Sequence, residues 1–193
     1  MVVIASLLLS SFVISAQDNT LNYDVFYKNN VVGNMQINKM VRDENVYLMM
    51  VSKVHMKLIT SFRVHIKEQS QFNKGRLMYT NVYREVNGKV KANQKTTAVG
   101  DAYQIDSHGK TGTISNKSIS SNLILLYFYE PVQMHEVYSG NFQQFVGVKP
   151  VGEHTYRIDL PDGNYNFYTY KDGICSRVEV HSSMYTIRME LRA

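Results

Sequence analysis

Apolar and polar residues alternate one for one along most of this chain. Phe62, Val64 and Ile66 are separated by Arg63, His65 and Lys67, and Val178 and Val180 by Glu179. Tyr185, Ile187, Met189 and Leu191 alternate with Thr186, Arg188, Glu190 and Arg192. A period of two is the signature of an extended strand with one face on a core and the other in water. Turn signals divide the runs: Asn29-Asn30, Asp43-Glu44-Asn45, Asn73-Lys74-Gly75, Asn87-Gly88, His108-Gly109, Asp162-Gly163 and Asp172-Gly173. Asn-Gly and Asp-Gly supply the positive φ angles of tight hairpins. The pattern predicts strands near 21–28, 31–41, 46–58, 61–73, 76–86, 89–99, 102–107 and 111–115. A second group is predicted near 145–150, 154–160, 164–171, 174–182 and 184–192. Strands in up-and-down order pair with their sequence neighbours, antiparallel.

Residues 118–138 break the alternation. Leu123 to Tyr129 is apolar on every side and must be buried wherever it lies. Ser118 or Ser121 can cap a helix and Pro131 would stop it, so a short helix is expected, with a second helical turn after Pro131. The expected fold is mainly β: an antiparallel β-barrel or half-barrel with this short helix packed on its concave side. Closure would remove the exposed edges of so long a meander.

Met1 to Ala16 is almost wholly apolar and ends in small Ser15 and Ala16, which predicts a signal peptide over residues 1–16. It lacks the usual basic start, and it is shorter than the roughly 20 residues of a membrane span. Residues 17–193 are then a single β-barrel-like domain, periplasmic or secreted, with no integral membrane span. No cysteine follows the apolar run, so no lipoprotein attachment site is seen. The formal charge of +5 is thinly spread. Its densest stretch, Lys89 to Lys95, alternates along a strand and reads as a solvated face, which argues against a nucleic-acid partner. Cys175 is the single cysteine, so no internal disulfide exists, and it reads as a buried, inert thiol.

No motif announces catalysis. The six histidines form no metal-binding spacing; His55 and His65 could face each other across a hairpin, but both sit among polar neighbours. There is no Gly-x-Ser-x-Gly elbow and no phosphate-cradling glycine loop. Glu68 is the best carboxylate candidate, because it continues the Phe62–Ile66 alternation on the apolar side. A carboxylate there is costly unless paired, so a bulge or strand end turning it outward, or a salt link, is the favoured account. Glu130, just before Pro131, reads as a capping or loop-anchoring residue. No catalytic residue, metal or cofactor is assigned.

Aromatic residues are more informative. The chain holds 14 Tyr, 8 Phe and no Trp, with clusters at Tyr127-Phe128-Tyr129 and Tyr165 to Tyr170. They can pack a curved sheet, or line an apolar groove that ten methionines would make adaptable. Packing is the default use of such residues. Candidate ligand-binding residues are Leu123, Leu126, Tyr127, Phe128, Tyr168 and Tyr170.

Several stretches resemble a known family. Tyr23 to Tyr27 with Val31 to Ile37, Phe72 to Leu77, Glu85 to Lys89, Tyr127 to Pro131 and Tyr168 to Val178 together are similar to the domain-of-unknown-function family numbered 6134. The likeness to the family numbered 3108 is more remote. The resemblance implies an envelope protein of Gram-negative bacteria with a half-barrel like that of periplasmic lipoprotein carriers, and carries over no catalytic residue.

The leading expectation is a non-enzymatic envelope protein that binds an apolar or lipid-like ligand, with Leu123 to Pro131 as a gate. The alternatives are a structural protein with a self-filled barrel acting on an envelope protein partner, and a hydrolase of an envelope polymer.

Overall fold

Four hairpins turn on two-residue loops in which both residues have positive φ: Lys74-Gly75, Asn87-Gly88, His108-Gly109 and Asp172-Gly173. This backbone matches the right-handed twist of the strands it joins. The computed structural model describes residues 17–57 and 61–192; the expected signal peptide lies outside them. The first eight strands are β1 (Gln17–Tyr27), β2 (Asn30–Arg42), β3 (Asn45–Lys57), β4 (Ser61–Asn73), β5 (Arg76–Val86), β6 (Lys89–Val99), β7 (Ala102–Ser107) and β8 (Lys110–Ile114). After a connector come β9 (Glu136–Ser139), β10 (Gln144–Gly152), β11 (Thr155–Asp159), β12 (Tyr165–Lys171), β13 (Ile174–His181) and β14 (Thr186–Leu191).

All neighbours are antiparallel. The order is β8-β7-β6-β5-β4-β3-β2-β1-β14-β13-β12-β11-β10-β9. The two strand groups are therefore zipped together in the middle by β1 and β14, with Tyr23 opposite Leu191 and Tyr27 opposite Ile187. The edges are β8 and β9, five and four residues long. They do not pair, so the sheet is open and the closed-barrel form of the expectation does not hold. Short edges limit the hazard that closure would otherwise remove.

The sheet nevertheless curls back on itself. The Tyr138 hydroxyl on β9 lies 2.8 Å from the Thr96 hydroxyl on β6. Gln143, in the β9–β10 turn, donates from Nε2 to the carbonyls of Lys95 and Asp106, each at 2.9 Å. Gly33 on β2 shows how tight the strand packing becomes: a Cβ there would lie 2.1 Å from the Lys53 carbonyl oxygen.

The connector between β8 and β9 corrects two expectations. No α-helix forms there; the only helical piece is a single 3-10 turn, Leu125–Tyr127. After Pro131 the chain makes a turn and then strand β9, not a second helical turn. The reason is where the connector's polar groups go. The Ile119 carbonyl accepts from the Leu77 backbone, and the Ile119 N–H donates to the Tyr103 hydroxyl. Leu123 and Tyr138 tie the connector to β9, and the Leu126 carbonyl accepts from the Tyr170 hydroxyl at 2.8 Å. With the surrounding sheet satisfying these groups, a helical ladder is not required. Ile119, Ile124, Leu126, Tyr127 and Phe128 are buried and join the core residues of both strand groups in one cluster.

Candidate ligand-binding cavity

The enclosed face of the sheet has two ends of different character. One is filled by the connector. Tyr127 packs edge-on against Tyr23 and Tyr168, with ring centroids 5.4 and 5.9 Å away. Such pairs add to the energy of burial alone. Burial raises the Tyr127 hydroxyl well above the ordinary phenol range, so it stays protonated. Glu130 accepts from the Tyr156 hydroxyl at 2.8 Å and pairs with His154 Nδ1 at 3.0 Å, as a loop-anchoring residue should. The hydrogen bond and charge of Glu130 hold the His154 pKa above its usual value. Lys39 on β2 donates to the Tyr129 hydroxyl at 2.8 Å and lies 5.0 Å from the Phe128 ring centre.

The other end is a cavity of about 380 Å³, within the size range of small-molecule sites. Alternate residues of β3 and β4 form much of its wall: Met50, Ser52, Val54 and Met56, then Phe62, Val64, Ile66 and Glu68. Val82, Arg84 and Val86 continue it on β5, and Val180, Ile187 and Met189 close it from β13 and β14. Burial deepens along β4, from half-buried Phe62, Val64 and Ile66 to buried Glu68, Ser70 and Phe72. Glu68 thus stands at the inner end.

Glu68 is neither turned outward nor paired. It is only 7% exposed. Its register opposite Met50 and Val82 is regular, with no bulge to turn it outward. Among the described residues its Oε1 has no hydrogen-bond partner and no salt link to it forms. Burial pushes its carboxyl up to about 8. Two further buried oxygens on the same wall, Ser139 Oγ and Asn166 Oδ1, also lack partners. Gly140 brings the end of β9 against Glu68: a Cβ there would sit 3.2 Å from Glu68 Oε1 and 2.9 Å from a Val82 methyl.

Of the six residues singled out in the sequence, Leu123, Tyr127 and Tyr168 line this cavity. Leu126, Phe128 and Tyr170 are buried in the packed end instead. The sequence reading passed over Ser139, Asn166 and Arg84. Asn166 shares the strand parity of Tyr168 and Tyr170, a signal that places it inside; Ser139 lies on the strand that was not anticipated. His55 and His65 do not face each other: their cross-strand partners are Arg63 and Lys53. Among the described residues no cluster of three or more His, Cys, Asp or Glu could hold a metal ion. Cys175 is buried, and burial pushes its thiol up to about 12.

A family model described as a domain of unknown function, DUF6134, matches residues 23–192. The chain belongs to that family. The match takes in the connector, every cavity-lining residue and all three unpartnered oxygens, so the cavity falls inside the DUF6134 domain. Among solved structures, the chain is similar to a β-barrel-like protein of the domain of unknown function DUF1849 from Brucella abortus. That likeness has a TM-score of 0.54 at 10% identity and covers 90% of this chain and 95% of the other. It bears on the fold alone. No curated protein matches the chain. Among the described residues no helix is long and apolar enough to cross a membrane.

Proposed function

We propose that this DUF6134 protein is an exported, non-enzymatic envelope protein that binds an apolar or lipid-like ligand in the cavity between β3–β5 and β12–β14. One observation carries the reading: the curled sheet leaves about 380 Å³ of space walled mainly by alkyl and aromatic side chains. Burying alkyl surface there would contribute roughly 0.8 kcal/mol per CH₂. Met35, Met50, Met56 and Met189 give the wall side chains that adapt to different occupants. The connector acts as a fixed wall, not a gate, because Tyr170, Tyr156, His154 and Lys39 hold it from Leu126 to Glu130.

Native mass spectrometry with lipid extraction, on mature protein purified from the cells that make it, tests this. The expected result is an apolar adduct released by organic solvent. An unliganded mass, together with no uptake of added C10 amphiphiles, would contradict it and favour the self-filled interaction protein.

A further inference from the structure

The three unpartnered oxygens describe the end of the ligand that goes in first. We infer that the cavity takes an amphiphile whose innermost group carries N–H or O–H donors, an alcohol or amine, held by Glu68, Ser139 and Asn166. The inference rests on the ligand-binding reading above and adds the chemical class of the occupant. All three residues line the cavity and are more than nine-tenths buried, with exposures of 7%, 0% and 8%. Glu68 Oε1 and Asn166 Oδ1 are acceptor positions, and Ser139 Oγ can accept as well. A buried polar atom without a partner is costly, and an occupant that supplies donors removes that cost.

A carboxylate or phosphate head would instead enter an inner end at which Glu68, Ser139 and Asn166 supply no positive charge, and would be repelled by Glu68 on ionisation. The wall's cation, Arg84, whose Nε is likewise buried without a partner among the described residues, stands opposite Ile66, two residues from the Glu68–Val82 pair. Arg84 is half-buried, on the more open side of the wall, where Asp162 also lines the cavity. A fatty-acid head would therefore bind at Arg84 and drive its alkyl tail onto Glu68, the reverse of the orientation inferred. The raised carboxyl of Glu68 fits the assignment, because in its protonated form it also donates to a hydroxyl, and in its ionised form it pairs with an alkylammonium.

The test compares 1-decanol, decylamine and decanoate by calorimetric titration at neutral pH, below their aggregation limits. Wild-type protein is set against Glu68→Leu and Asn166→Leu, each first checked for a native circular-dichroism spectrum. The alcohol and amine are expected to bind about tenfold more tightly than decanoate. Glu68→Leu is expected to reduce that advantage to about threefold or less, with decanoate affinity unchanged or improved. Asn166→Leu, which leaves Glu68 in place, is expected to produce a smaller loss in the same direction. If decanoate binds best, if the three bind alike, or if both variants keep the wild-type ranking, the donor-headed assignment falls while ligand binding stands. If none of the three binds the wild-type protein, the ligand-binding reading itself fails.

Discussion

Two glutamates on the enclosed side of this sheet live in opposite circumstances. Glu130 belongs to the packed end, where a tyrosine hydroxyl and a histidine ring nitrogen serve its carboxylate. Glu68 belongs to the open end, where Oε1 meets no donor and burial lifts its pKa. The difference separates polar groups committed to architecture from those left available. At the packed end the connector's backbone groups and side chains are taken up by Tyr103, Tyr156, Tyr170 and Lys39. At the open end three buried oxygens share a wall with methionines and valines and have no hydrogen-bond partner among the described residues.

The largest expected effect is the pH dependence created by Glu68. Its folded pKa, about 8, lies above the ordinary carboxyl value. The folded state therefore holds a proton that the unfolded chain releases, and stability falls as pH rises from about 4.5 to about 8, then levels off. The total is on the order of 3–5 kcal/mol. Glu68→Gln should flatten that slope and raise the unfolding midpoint in urea at pH 8. If urea titrations from pH 5 to 8 show no difference between wild type and Glu68→Gln, the open end is solvated and the contrast is lost.

Truncation sharpens the same comparison. Leu126→Ala, in the packed end, should cost about 3 kcal/mol, because it leaves a new void among rigid neighbours. Met50→Ala borders space that already exists and should cost about half as much. Equal losses in urea unfolding would mean that the two ends are packed alike.

The anchor at Glu130 gives smaller changes. Tyr156→Phe removes one hydrogen bond and should cost about 1 kcal/mol. The raised pKa of His154 means that its ion pair stabilises fully below its unfolded value. That support is lost as pH rises through the folded value. His154→Asn, which tolerates the positive φ of this turn, should abolish only that shallow slope. Since both groups lose stability with rising pH, the variants and not the wild-type curve distinguish them.

The contrast also marks how far the sequence could be read. All thirteen expected strands form, because alternation and paired turn residues such as Asn87-Gly88 act over a few neighbouring residues. The missed strand, Glu136–Ser139, is too short to show a period, and it follows a proline that suggested the end of a helix. Leu123 to Phe128 is buried or half-buried, as its apolar run requires, whereas Tyr129 at its end is exposed. The run's conformation depends on donors from distant strands, which periodicity does not record. Alternation also placed Glu68 on the inner face correctly. The error lay in supposing that an inward carboxylate must be turned out or paired, which holds for a filled core and not for a wall beside a cavity. The pairing of β1 with β14, which brings the two groups of strands around that cavity, leaves no trace in the local pattern.

The most direct test uses the methionines as reporters. Met35, Met50, Met56 and Met189 line the cavity, while Met40, Met49 and Met184 are exposed. In protein carrying ¹³C-methyl methionine, titration with 1-decanol should shift the four wall methyl signals to saturation and leave the three exposed ones in place. Unmoved wall signals, or shifts confined to the exposed methyls, would contradict a ligand cavity at the open end.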